Sequence, residues 1–146
     1  MRCVVQKVNS SSVTVDGKLI NKIGRGLNVL VGFTHDDTFK DIEYMAHKVV
    51  NLRIFEDEND VMNKSVIDVG GEILSISQFT LYGDARKGNR PSYINALGGE
   101  KALPLYEKFN EELNKSVKTY GGVFGADMKV EILNDGPTTI IIDSKN

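Results

Sequence analysis

Several residue types that usually announce chemistry are scarce in this chain. Cysteine occurs once among 146 residues, at Cys3. A single thiol excludes an internal disulfide and any Cys-rich metal centre. Its place in the apolar opening run Met1-Arg-Cys-Val-Val-Gln-Lys-Val8 fits a small buried side chain rather than a nucleophile. Histidine occurs twice, as His35 and His47, with neither HxxxH nor HExxH spacing. No metal site is therefore expected, and each ring reads as structural or solvated. No G-x-S-x-G elbow, phosphate-binding loop or dinucleotide fingerprint is present. The standard nucleophile–base pairs are thus missing, and no cofactor is expected. Long apolar runs are missing too: none approaches the roughly 20 residues that cross a bilayer, and the opening lacks the pattern of a signal peptide. A cytoplasmic domain with no membrane partner is the expectation. An excess of one charge is also absent, with 18 Lys and Arg against 20 Asp and Glu and a net charge of −2. Any contact with RNA must then come from a local basic patch on a nearly neutral body.

What remains is an ordinary globular composition, 40% hydrophobic and 26% charged, expected to form one domain over residues 1–146. Residues 1–8 read as a strand, and residues 13–20 as a hairpin whose Asp16-Gly17 suits a tight turn. Residues 26–33 form a continuous apolar run of strand length. The period then changes. Asp36, Asp37 and Thr38 supply helix-start chemistry, and Phe39, Ile42, Met45, Ala46, Val49 and Val50 follow at helical spacing. Strand character resumes at 52–55 and at 73–81. Leu105, Tyr106, Phe109, Leu113 and Val117 mark a second helix, with Pro104 expected near its first turn and Gly121-Gly122 ending it. Two closing strands, 128–133 and 138–143, are joined by Asn134-Asp-Gly-Pro137. Strands dominate and two helices interrupt them, which predicts an α+β, β-rich fold with a mostly antiparallel, curved or barrel-like sheet.

Three segments carry candidate chemistry. In Ser77-Gln-Phe-Thr-Leu-Tyr-Gly83, period-two alternation places Gln78 and Thr80 on the same face as Leu74 and Ile76, so an apolar face turns polar toward the strand's end. By pattern alone, a strand leaving the core, with Gln78 and Thr80 reaching solvent, accounts for this better than a site does. Asn134-Asp-Gly-Pro-Thr138 has the composition of a hairpin turn, and nothing in the pattern requires more. Arg86-Lys-Gly-Asn-Arg-Pro91 is a compact basic loop that reads either as solvated or as a phosphate contact, with Gly88 permitting close approach.

Taken together over the whole chain, these segments resemble the D-aminoacyl-tRNA deacylase family. The residues that carry the likeness include Met1-Arg-Cys-Val-Val-Gln-Lys-Val8, Leu52-Arg-Ile-Phe55, Met62-Asn-Lys-Ser-Val66, Asp68-Val-Gly-Gly-Glu-Ile-Leu74, Ser77-Gln-Phe-Thr-Leu81, Lys87-Gly-Asn-Arg-Pro91, Phe124-Gly-Ala126 with Met128, and Asn134-Asp-Gly-Pro137. The resemblance implies a homodimer with its active site at the subunit interface and the 3′ end of D-aminoacyl-tRNA as substrate. Ser77, Gln78, Phe79 and Thr80 would form the catalytic segment, with backbone amides near Phe79 and Thr80 holding the oxyanion and the ribose 2′-hydroxyl aiding attack. The other subunit would insert Gly136-Pro137 as a cis dipeptide that rejects L-aminoacyl esters by clash. Phe124, Met128 and Lys7 would help bind substrate, and Arg86, Lys87 and Arg90 would contact tRNA. Glycyl-tRNA, with no side chain to reject, is an expected second substrate.

This chain departs from the family's pattern at Lys7, where Arg is common, and at Thr138, where Val is common. Lysine lacks arginine's planar fork, so bracing of the Gly136-Pro137 segment is expected to be looser. Three other readings compete: a non-catalytic nucleic-acid binder using residues 86–90, a paralogue that removes L-alanine, and a structural dimer module.

Overall fold

The structure, a computed structural model, describes residues 1–145. One strand organises it. β1 (Arg2–Val15) is long enough to serve two neighbours on one edge and a third along the whole of the other. β2 (Lys18–Ile23) pairs antiparallel with its second half and β3 (Gly26–Gly32) with its first. The reversal between β1 and β2 uses Asp16 and Gly17, both at positive φ (50° and 75°), as expected for a two-residue hairpin turn. β8 (Lys129–Asp143) runs antiparallel along the opposite edge of β1, from Thr14 back to Arg2. Beyond β3 the sheet continues in parallel through β6 (Glu72–Ser77) and β7 (Thr119–Gly121). β2 curls back toward β7, with Asn21 Nδ2 donating to Gly121 O at 2.6 Å, so the sheet is nearly closed like a barrel. β4 (Phe55–Glu56) and β5 (Met62–Lys64) make a small separate ladder.

The helices α1 (Phe39–Asn51) and α2 (Gly99–Asn114) cover one face of this sheet. A capping box between Thr38 and Asp41 starts α1, and Ile42, Met45, Ala46, Val49 and Val50 are all buried. They meet Phe109 and Leu113 of α2 and Cys3, Val5, Leu27, Val29 and Val31 of the sheet in the main core. A smaller cluster built on Val8, Val13, Ile23, Leu74 and Ile76 fills the other side. Cys3 lies wholly inside, where burial pushes its thiol above the ordinary range. No helix among the described residues is long and apolar enough to cross a membrane.

The structure corrects the sequence reading in six places. α2 stops at Asn114, so Val117 lies past the helix and Gly121 belongs to β7 rather than ending the helix. Strand character is absent from residues 52–54, because β4 begins only at Phe55. Phe39 does not join the buried face of α1; at the first helical position it remains exposed. Pro104 lies beyond the first turn, because α2 begins at Gly99 and packs Ala102 inward before the proline is reached. β6 ends at Ser77 rather than running to 81. Gln78 leaves the extended conformation, and Phe79–Tyr82 close into a 3-10 turn held by Leu81 N–H to Gln78 O at 3.3 Å and Gly83 N–H to Thr80 O at 2.9 Å. The period-two argument therefore lapses for Gln78 and Thr80. Finally, residues 134–137 do not reverse the chain. Both halves of β8 pair with β1 in the same direction, and the register shifts around Val8 show an in-line irregularity rather than a hairpin.

Candidate active site

A cavity of about 610 Å³ opens where β3 and β6 end. Parallel pairing of Leu30 with Ile76 and Val31 with Ser77 brings the two strand ends level. The chain then turns sharply past Gly32. A Cβ at that position would sit 2.9 Å from Gln78 O and 3.2 Å from Leu81 Cβ, so the close approach requires glycine. Val31, Phe33, Leu97, Ala102 and Phe124 give the cavity apolar walls, while Ser77 and Gln78 add a polar edge. Met128, just before β8, lines it too.

At the mouth, Phe79 is 56% exposed and meets Tyr93 edge-on, with ring centroids 5.2 Å apart. Thr80 is also exposed, and its hydroxyl accepts from Gln78 Nε2. Phe79 and Thr80 occupy the first two positions of the 3-10 turn, where backbone N–H groups have no partner within the turn. An anionic oxygen placed there would meet donors without first having to break internal bonds.

The structure thus gathers five residues singled out from sequence, Ser77, Gln78, Phe79, Phe124 and Met128, around one cavity, with Thr80 beside it. Sequence reasoning did not find Phe33, Tyr93 and Leu97, which also line it. Their signal is weak, since Phe33 and Leu97 read as ordinary core and Tyr93 as loop.

Gly136 and Pro137 lie elsewhere. Neither lines the cavity; both are exposed, on a strand that among the described residues pairs only with β1. The peptide bond between them is cis. Behind this segment Lys7 is buried, its Nζ 3.1 Å from Glu56 Oε1 and 3.8 Å from Asp135 Oδ2. The lysine's nearer partner is therefore β4, not the Gly-Pro segment, and Glu56 is a neighbour that sequence alone did not supply.

The basic loop follows the 3-10 turn and is closed by paired bonds between Asp84 and Ser92, which set it next to Tyr93 at the cavity mouth. Its three cations differ. Arg86 forms a two-pronged contact with Asp84 (Nε–Oδ1 2.9 Å, Nη2–Oδ2 2.7 Å), which holds the Asp84 carboxyl at about 2. Lys87 and Arg90 are exposed and form no ion pair among the described residues. Neither histidine approaches the polar edge of the cavity: His35 Nε2 lies 2.7 Å from Ile94 O, and His47 contacts Asn51 on α1.

Comparison with known proteins gives a consistent result. The family model described as D-Tyr-tRNA(Tyr) deacylase matches residues 4–143. A D-aminoacyl-tRNA deacylase of Clostridium botulinum is 62% identical over 146 residues, covering 99% of this chain and 98% of that one. A solved structure titled c-Myc DNA Unwinding Element Binding Protein superposes with a TM-score of 0.93 at 46% identity, covering 98% of each chain. A second, titled as a probable eukaryotic D-amino acid tRNA deacylase, has a TM-score of 0.83 at 17% identity and shares the fold. Family model and bacterial relative both span nearly the full length, and the chain belongs to the D-Tyr-tRNA(Tyr) deacylase family.

Proposed function

We propose that the cavity at the ends of β3 and β6 hydrolyses the ester bond of D-aminoacyl-tRNA, and that a second copy of the chain completes it with Gly136 and Pro137. The observation that carries this reading is the separation of the two motifs. Ser77–Phe79 edge the cavity with Thr80 beside it, while Gly136 and Pro137 do not line it and are exposed on an edge strand. A two-fold dimer would bring one copy's segment to the other's cavity twice over, making two equivalent sites.

The chemistry asks little of side chains. An aminoacyl ester is already activated and carries a ribose hydroxyl beside its carbonyl. Positioning and oxyanion stabilisation can then supply much of the rate. The amides of Phe79 and Thr80 hold the developing oxyanion, and the 2′-hydroxyl assists attack. Thr80 does not act as a nucleophile, because its hydroxyl is engaged by an amide, Gln78 Nε2, and not by a base. The apolar walls, Phe124 and Met128 among them, seat the 3′ end. Lys87 and Arg90 meet tRNA phosphates, with Arg86 weaker because Asp84 offsets its charge.

Chirality is enforced by exclusion. Backbone carbonyls of Gly136 and Pro137, set against the substrate's α-carbon, leave no room for an L side chain. D side chains point away and are accepted, and glycyl-tRNA is hydrolysed because it offers nothing to reject. Lys7 braces this segment through Asp135. The enzyme acts in the cytoplasm, without metal or cofactor.

The test is hydrolysis of D-tyrosyl-tRNA beside L-tyrosyl-tRNA and glycyl-tRNA, with and without EDTA. Loss of the D and glycyl esters alone, unaffected by EDTA, is expected. Equal rates on both tyrosyl esters would remove the chiral gate, and no loss of any would leave a binding module.

A further inference from the structure

The 3-10 turn that carries Phe79 and Thr80 is a short element with little to hold it. It has two local backbone bonds, at 3.3 and 2.9 Å, and both its leading residues are exposed. Isolated 3-10 turns have poor hydrogen-bond geometry, so such a turn needs an outside anchor to keep one position. The anchor comes from the far end of the sequence map. Arg2, the first residue of β1, stands opposite Gly32 of β3 and Asp143 of β8. Its Nη1 donates to Leu81 O at 2.9 Å, and its Nε donates to Asp143 Oδ2 at 2.9 Å. The guanidinium carbon lies 4.7 Å above the centre of the Tyr82 ring. Tyr82 is itself buried, and its hydroxyl has no hydrogen-bond partner among the described residues, so packing and this stack fix its ring. Burial works against the Asp143 charge, but the Lys145 amide and Arg2 outweigh it and hold the carboxyl below its ordinary value.

We propose that Arg2 is a positioning residue for the deacylation. It clamps the Leu81 carbonyl, the Tyr82 ring and the Asp143 carboxylate with one planar group, and so fixes where the Phe79 and Thr80 amides point. The inference rests on the reading of this cavity as the hydrolytic site. Arg2 does not line the cavity, so its effect reaches substrate only through the turn. The task suits arginine: a forked, planar cation can serve two acceptors and a ring face together, whereas an ammonium is a single point.

Wild type, Arg2→Ala, Arg2→Lys and Asp143→Asn are compared as full chains on D-tyrosyl-tRNA, with kcat, KM and Tm measured for each. Amide hydrogen exchange is followed at residues 79–83. For Arg2→Ala, kcat falls roughly tenfold, as expected for a sub-ångström misplacement, with KM within about twofold. Exchange across residues 79–83 quickens. Arg2→Lys retains an intermediate rate, and Asp143→Asn lowers kcat less than Arg2→Ala does. If wild type does not hydrolyse the ester, the reading of the cavity fails. If wild type is active and the variants keep its kcat, or lose activity only in proportion to the unfolded fraction, Arg2 is structural and the proposal is overturned. A rise in KM with kcat unchanged overturns it as well. Should Arg2→Ala not fold, Arg2→Lys and Asp143→Asn decide on the same terms.

Discussion

Gly32 offers a direct test of whether the position of the 78–82 turn governs the rate. Replacing it with alanine places a methyl 2.9 Å from Gln78 O, 3.2 Å from Leu81 Cβ and 3.3 Å from Tyr82 Cδ2. Ordinary contacts of these kinds lie near 3.5–4 Å, so the turn must retreat by roughly half an ångström or β3 must give way. Two of the three neighbours are backbone or Cβ atoms, which cannot swing aside as the tip of a flexible side chain can. Overpacking of this kind costs about 1–3 kcal/mol. The catalytic cost is larger in proportion: misplacement by an ångström can cost about a hundredfold, so half of that predicts roughly a tenfold loss in kcat. Urea unfolding gives the stability, and D-tyrosyl-tRNA deacylation at saturating substrate gives kcat. Gly24→Ala is the control, since a Cβ there meets nothing within 4 Å. A Gly32→Ala enzyme with wild-type kcat, destabilised or not, would refute the idea that the turn's placement limits catalysis.

Other outcomes follow from the same geometry. Thr80→Val retains hydrolysis within about threefold, because the hydroxyl lacks a base; loss of all activity in a folded variant would restore Thr80 as nucleophile. Lys7→Arg raises the ratio of D- to L-tyrosyl-tRNA hydrolysis by about threefold, because a forked cation can reach Glu56 and Asp135 together. An unchanged ratio would separate residue 7 from chiral rejection. The Asp41 carboxyl is held at about 2: burial opposes its charge, but the Thr38 amide and Lys145 more than offset that. Its pKa in the fold lies below the ordinary 3.8. The stabilisation is therefore complete above about pH 4 and is lost as pH falls toward 2. Asp41→Asn should cost about 1–2 kcal/mol at neutral pH, as helix caps do, and should flatten the acid limb of the stability curve. An acid limb identical to wild type would locate the titration elsewhere.

Much of the fold was legible because its signals are local. Asp16 and Gly17 declare a turn in which both residues need positive φ, and the helical spacing of Ile42, Met45, Val49 and Val50 maps directly onto the buried face of α1. The misreadings occur where the deciding partner is remote. Whether Asn134–Pro137 reverses the chain depends on β1, more than 120 residues earlier, which accepts both flanking segments in one direction. Nor does alternation along 73–81 record that Gly32 and Arg2 will receive a tight turn after Ser77. The candidate site was legible mainly through its motifs. Ser77-Gln-Phe and Phe124 with Met128 converge on the cavity, but the pattern of the first segment by itself fits a fading strand better than a site. Glu56 beside Lys7 and Asp84 beside Arg86 could not be read in advance, since the pairing of charges, buried or exposed, leaves no periodicity.

The unbroken course of β8 makes the length of the Asn134–Pro137 stretch a constraint on the whole molecule. A hairpin loop can gain or lose a residue and leave its strands in place. Here the chain beyond Pro137 is already committed to β1, with Ile140 opposite Val5 and Ile142 opposite Cys3, both packed on the main core. Deleting one residue from the stretch would turn every later side chain over. Ile141, now 69% exposed, would point inward together with Asp143, the partner of Arg2, while Ile140 and Ile142 would face away. The length of the stretch is thereby metered by the registry of its own sheet, and an insertion or deletion there would be felt along the rest of the closing strand.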